Sequence, residues 1–140
     1  MEHIKMTDEV RKKMAGLLPM NSSSTYKYTP VVFESFDEQF RPVFEIKQFT
    51  NIAILKVKEL VLKELDTKKK ATVKEIDDRN KEYMSLLHST LISWDNLYDL
   101  GSGELYAYDG TFDCLMTLPE NIRTDLFTEA LKISGFTGGI

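Results

Sequence analysis

Apolar residues recur along this chain in blocks of distinct period, and the blocks predict most of its elements. From Asn51 they stand at Ile54, Val57, Val61 and Leu65, widened by Ile52, Leu55, Leu60 and Leu62. That spacing predicts a helix over 51–65 with Thr50 as its cap. Its apolar face is broader than a surface helix needs, so the helix is expected to be central or to pair with another chain. A second helix is announced by Thr72-Val-Lys-Glu75, a capping box in which each end satisfies an orphan amide of the other. Ile76, Tyr83, Leu87 and Leu91 carry its apolar face to about Leu91, while Asp77, Asp78, Arg79, Lys81 and Glu82 face water. Two long helices joined by the short turn 66–71 predict an antiparallel pair.

Upstream, Arg41–Phe49 alternates with the period of a strand, Phe44 and Ile46 on one face and Glu45 and Lys47 on the other. Pro42 at its start predicts either an edge strand or a strand whose first residue is Pro42. Lys5–Leu18 reads as a short helix capped by Thr7, with Val10, Met14, Leu17 and Leu18 at helical spacing. Pro19, Asn21 and three serines then break it, and 21–29 reads as a linker. Downstream, Leu86–Thr117 reads as a joint. It contains Trp94, the only tryptophan, whose large area makes it the expected structural anchor. Gly101-Ser-Gly103 breaks the apolar run, Glu104–Tyr108 follows as a second short strand expected to pair with 41–49, and Asp109-Gly110 turns again. A short helical turn is expected over 113–118 behind Thr111. Pro119 then opens a last helix bearing Ile122, Leu126, Ala130 and Ile133, which Gly135 terminates.

The expected fold is therefore α+β and predominantly α-helical: two long antiparallel helices plus a C-terminal helix, with one or two short strands. Residues 1–29 read as an N-terminal arm and linker, 30–134 as a single globular domain, and 135–140 as a flexible tail. The arm reads either as a frayed terminus or as a segment that orders on a partner.

Charge and chemistry narrow the function. A net charge of −4 over 140 residues, with a pI near 5.2, disfavours nucleic acid, which wants a basic face. Lys68-Lys69-Lys70 reads as a solvated turn, not an anion site. No run approaches the roughly 18 apolar residues of a membrane span, and the start has no secretory h-region, so a cytosolic protein is expected. One cysteine, Cys114, and two histidines, His3 and His88, leave no internal disulfide and too few ligands for zinc. No P-loop, dinucleotide fingerprint, HExxH, CxxC or nucleophile elbow occurs. His88 is expected to be half-buried and bonded to a backbone or serine oxygen, and Cys114 lacks the electropositive setting of a reactive thiolate. The expectation is a protein without catalytic, cofactor-binding or metal-ligating residues, and not an enzyme.

Five phenylalanines stand within 17 residues, at 33, 36, 40, 44 and 49. They either plug the core or leave an aromatic patch for a partner. The candidate partner-binding residues are Phe33, Phe36 and Phe40, with Val57, Val61 and Leu65 on the broad helix.

The run LISWDNLYDLGSGELYAYDGTFDCLMTLPENIRTDLFTEAL (91–131) is similar to the end of the tail assembly chaperones of long-tailed, siphovirus-like bacteriophages. In that pattern an apolar residue, an aromatic and an Asn lead into a Gly turn. A short aromatic strand, a leucine-rich segment, a Pro and a last helix follow. Those places are held here by Ile92, Trp94, Asn96, Gly101 or Gly103, Tyr106 and Tyr108, Leu115, Pro119 and 122–131. Phe40–Thr50 likewise resembles the early strand of such proteins. The Gly-Ser-Gly turn is longer than the pattern's Asp-Gly, and the first 30 residues have no counterpart in it.

The resemblance implies a non-enzymatic protein of the host cytoplasm, made during virion assembly and absent from the finished particle. It would coat the long apolar tape-measure protein and bring tail-tube subunits to it. Self-association is expected from the breadth of the 51–65 helix. The alternatives are a virion structural protein, such as a head–tail connector or minor tail protein, and a small host-interacting regulatory protein.

Overall fold

A computed structural model describes residues 6–17, 25–65 and 71–135. Among these the elements run α1 (Asp8–Leu17), β1 (Thr25–Tyr28), β2 (Val43–Lys47), α2 (Asn51–Leu65), α3 (Val73–Thr90), β3 (Leu91–Asp95), α4 (Phe112–Met116) and α5 (Glu120–Ile133). Two 3-10 turns, Val31–Phe33 and Glu38–Phe40, lie between β1 and β2. The expectations for Pro19–Ser24, for Lys68-Lys69-Lys70 and for the tail 136–140 lie outside the described residues, as does the side chain of Leu65.

Helix starts follow local side-chain chemistry. Thr7, Thr50 and Thr111 accept from the amides of Val10, Ala53 and Cys114 at 3.3, 3.1 and 3.1 Å. Thr72 accepts from Glu75 N at 3.1 Å and donates to the Glu75 carboxylate at 3.2 Å, completing the capping box. Helix α5 begins directly behind Pro119, which stands at the cap position, one place before the expected one.

The strands depart from the expectation. The three form one antiparallel sheet in the order β1-β2-β3, so β2 is its centre and not its edge. Pro42 lies just outside the ladder, and its missing N–H therefore costs no pairing. Strand β1 comes from residues that read as linker. Tyr26 and Tyr28 lie opposite Ile46 and Phe44, and this long-range pairing gives a short polar segment its shape. Strand β3 takes over the last residues expected of the preceding helix. Thr90 turns its hydroxyl back to Leu87 O at 2.9 Å, and Leu91 is already extended (φ −80°, ψ 116°).

Leu91 and Trp94 are three residues apart, which in a regular strand would place them on opposite faces. Pairing steps from Glu45↔Ser93 to Ile46↔Leu91, so Ile92 is an extra residue, and the bulge returns both to the core face. The expected strand 104–108 does not join the sheet; its one bridge is Tyr98↔Leu105.

A predominantly helical fold organised by two long antiparallel helices is thereby overturned. Five helices accompany a three-stranded antiparallel sheet, and α3 packs more extensively on α5 than on α2. The physical reason is the sheet's apolar face, where Phe44 and Ile46 are wholly buried together with Leu87, Leu115 and Leu126. Each such side chain contributes about 1.5–3 kcal/mol on burial. The opposite face is polar: Glu45 accepts from Thr25 at 2.7 Å and from Ser93 at 3.3 Å, spanning all three strands. No helix among the described residues is long and apolar enough to cross a membrane.

The described side-chain contacts of helix α1 are made by its cations. Lys12 lies 3.5 Å from the Glu129 carboxylate and 4.8 Å from the Tyr28 ring centre, and the Arg11 guanidinium lies 5.4 Å over Tyr26. Met6, Val10 and Met14 point outward.

A candidate partner-binding groove

Two segments that follow strands face each other across a groove. The first, 31–42, turns twice through 3-10 geometry, with Phe36 N donating to Phe33 O at 3.1 Å and Phe40 N to Asp37 O at 2.8 Å. Arg41 holds the segment from inside, its Nε donating to Phe36 O at 2.8 Å and its Nη2 to Glu34 O at 2.9 Å. A guanidinium spread across two carbonyls holds the loop in one shape.

The second segment leaves β3 at Asn96, whose φ of 63° is the one positive value outside glycine among the described residues. That backbone aims the Asn96 amide at the facing segment, where Nδ2 donates to Gln39 O at 2.6 Å and Arg41 O at 3.0 Å. The chain then folds back on itself: Asp99 N donates to Glu104 O at 2.8 Å and Tyr106 N to Leu97 O at 2.7 Å. The Asp99 carboxylate accepts from Gly101 N at 2.9 Å and from the Ser102 hydroxyl at 3.3 Å. Gly103 takes the left-handed conformation (φ 72°) that the tip requires. Leu100, at the tip, is 96% exposed.

Between the segments lie two adjoining cavities of about 560 and 490 Å³ that share Phe33, Leu97, Tyr98 and Leu100. Both volumes are in the range of ligand pockets. Phe44, Leu118 and Ile122 form part of the first, and Phe36, Phe40 and Pro42 part of the second. Phe40 meets Tyr98 edge-on at 5.9 Å, joining the two walls. Behind the first cavity the Trp94 indole N–H donates to Tyr106 O at 2.6 Å, and its ring lies 5.9 Å from Phe44 and 4.5 Å from Tyr108.

The sequence candidates divide. Phe33, Phe36 and Phe40 come together on one wall of the groove. Val57 and Val61 lie on α2 and line neither cavity; Val57 is buried in the chain's own packing and Val61 is half-buried. The exposed apolar residues of α2 are instead Ile52, Leu55 and Leu62, on nearly the opposite side. Sequence reasoning did not single out Leu97, Tyr98 and Leu100. One signal was present, an isolated leucine between Asp99 and Gly101 in a turn that otherwise wants polar residues.

Burial and hydrogen bonds set the state of several titrating groups. His88 Nε2 lies 2.8 Å from Gly110 O with its ring edge-on to Phe112. Burial, and then the bond its hydroxyl donates to Asp125 at 2.9 Å, push the Tyr28 phenol well above its usual range. Burial also raises Tyr108, and raises Tyr83 to about 12 with help from the Glu64 carboxylate. Bonds from the Thr111 hydroxyl and amide lower Asp109. No group of three or more His, Cys, Asp or Glu among the described residues is placed to hold a metal ion. Comparison with protein-family models finds no matching family, and comparison with curated proteins and with solved structures finds no significant match.

Proposed function

We propose that this protein is a non-enzymatic binding module that shelters an apolar segment of another polypeptide between residues 31–42 and 96–106. The observation that carries the reading is the groove itself. Phe36, Phe40 and Leu100 are exposed on loops held in place by Arg41, Asn96 and Asp99. Ordered apolar surface of this kind marks an interaction site, and loops already in their bound shape lose little entropy on binding. Side chains that only need to cover and release another chain require no activated nucleophile or metal.

The resemblance to tail assembly chaperones gives the proposal a specific form. The tape-measure protein is the occupant, tail-tube subunits displace it, and the encounter takes place in the host cytoplasm. Co-expression tests this. The wild-type chain keeps the tape-measure polypeptide soluble and copurifies with it, whereas Phe36→Ser/Leu100→Ser loses both properties. Tape-measure solubility that is the same with wild type, variant and empty vector sinks the reading.

A further inference from the structure

Charge on this molecule is not spread evenly. Residues 31–42 and 96–106 carry five carboxylates (Glu34, Asp37, Glu38, Asp99 and Glu104) and one cation, Arg41, a net −4. The whole chain is −4, so everything outside these two segments sums to zero. All five acids are exposed, and none lies within 4.0 Å of a cationic group among the described residues. The guanidinium of Arg41 is already occupied by Phe36 O and Glu34 O. The two segments that wall the apolar groove therefore carry a net charge equal to that of the whole protein, and Asp99 lines the first cavity itself.

Part of the walls' backbone is already engaged. The carbonyls of Glu34, Phe36, Gln39 and Arg41 on one side, and of Leu97 and Glu104 on the other, already accept hydrogen bonds. An extended occupant has to find partners for its own amides or lose them to desolvation. A helix brings its backbone already paired.

Resting on the binding role proposed above, we infer that the occupant of this groove is a cationic amphipathic helix, with large apolar residues on one face and lysine or arginine on its flanks. The apolar face fills the aromatic interior and the flanking cations meet the five carboxylates of the walls. Opposite charge at a rim speeds encounter and rejects like-charged competitors, and salt weakens both effects.

Three short helical peptides with the same leucine face, and with lysine, glutamine or glutamate on the polar face, test the inference in a direct binding titration. The leucine/lysine peptide binds about tenfold more tightly than the leucine/glutamine peptide at low salt. That advantage shrinks at high salt, and the leucine/glutamate peptide binds more weakly than either. Neutralising the walls with Glu34→Gln, Asp37→Asn, Glu38→Gln and Glu104→Gln removes the lysine preference but leaves leucine/glutamine binding intact. Phe36→Ser/Leu100→Ser abolishes binding of all three. Equal affinity for the lysine and glutamine peptides, or a preference that survives neutralisation, overturns the cationic occupant and leaves the apolar groove standing. Failure of every peptide to bind, or binding indifferent to Phe36→Ser/Leu100→Ser, overturns the groove itself.

Discussion

The side-chain amide of Asn96 donates to the carbonyl of Gln39, 57 residues earlier in the chain, at 2.6 Å. This bond, together with the one to Arg41 O, fastens one wall of the groove to the other. It depends on a backbone conformation that side chains other than Asn and Asp seldom adopt.

Replacing Asn96 separates the two contributions. Asn96→Ala loses both hydrogen bonds and strains the backbone, for a cost of about 2–3 kcal/mol. Asn96→Gly loses the bonds but relieves the strain, so it falls between wild type and alanine. Urea denaturation should order the three proteins by midpoint with an unchanged slope. Equal midpoints for alanine and glycine would show that the left-handed geometry carries no strain.

Trp94 gives a spectroscopic handle, since it is the only tryptophan. It is buried and bonded to Tyr106, which lines the groove, so its emission should be blue-shifted and should change when the groove fills. Trp94→Phe leaves Tyr106 O without its donor and removes buried area, a loss of about 2–3 kcal/mol. Wild-type stability in that variant would mean that the indole anchors nothing.

Alkaline pH should unfold the protein by way of its tyrosines. A phenol is neutral when protonated, and burial raises Tyr28, Tyr83 and Tyr108 above the ordinary value of 10.0. The folded state therefore holds these protons more tightly than the unfolded one. Their contribution is complete below pH 10 and is lost above it, in the case of Tyr83 as pH approaches about 12. Phenolate absorbance and circular dichroism should change together above pH 10, because the Tyr28, Tyr83 and Tyr108 phenols ionise only with loss of structure. Tyr28→Phe, which removes the bond to Asp125, should leave less of this pH-dependent loss.

Helix α1 should come away before the rest of the fold. Its described attachment rests on Lys12, between Glu129 and the Tyr28 ring, and on Arg11 over Tyr26. Lys12→Ala removes about 1 kcal/mol of ion-pair and cation–π attraction. Hydrogen exchange over 8–17 should quicken while the amides of β2 keep their protection. Uniform acceleration across the chain would mean that α1 belongs to the global folding unit.

What could be read in the residues was whatever local chemistry decides. Thr50, Thr72 and Thr111 mark their helices because a cap needs only an oxygen and an amide two or three residues on. The sheet was obscured because its pairings are remote. Thr25–Tyr28 has no strong pattern of its own, and Leu91 continues the helical spacing of Leu87, so β3 read as the end of a helix. The bulge at Ile92 removed the remaining clue, since it abolishes the two-residue period between Leu91 and Trp94. The groove divided along the same line. Its phenylalanine wall stood out as a surplus of aromatics, but the facing wall exists only because β3 delivers Asn96 beside Gln39.

Helix α3 passes into β3 with no connecting residue. The chain has no slack there, and one amino acid added between Thr90 and Leu91 would turn the outgoing strand over. The indole would swing into water and a serine or aspartate into the interior. Insertions and deletions should therefore accumulate at the 99–103 tip and be purged at 90/91, a signature that a set of related genes would display.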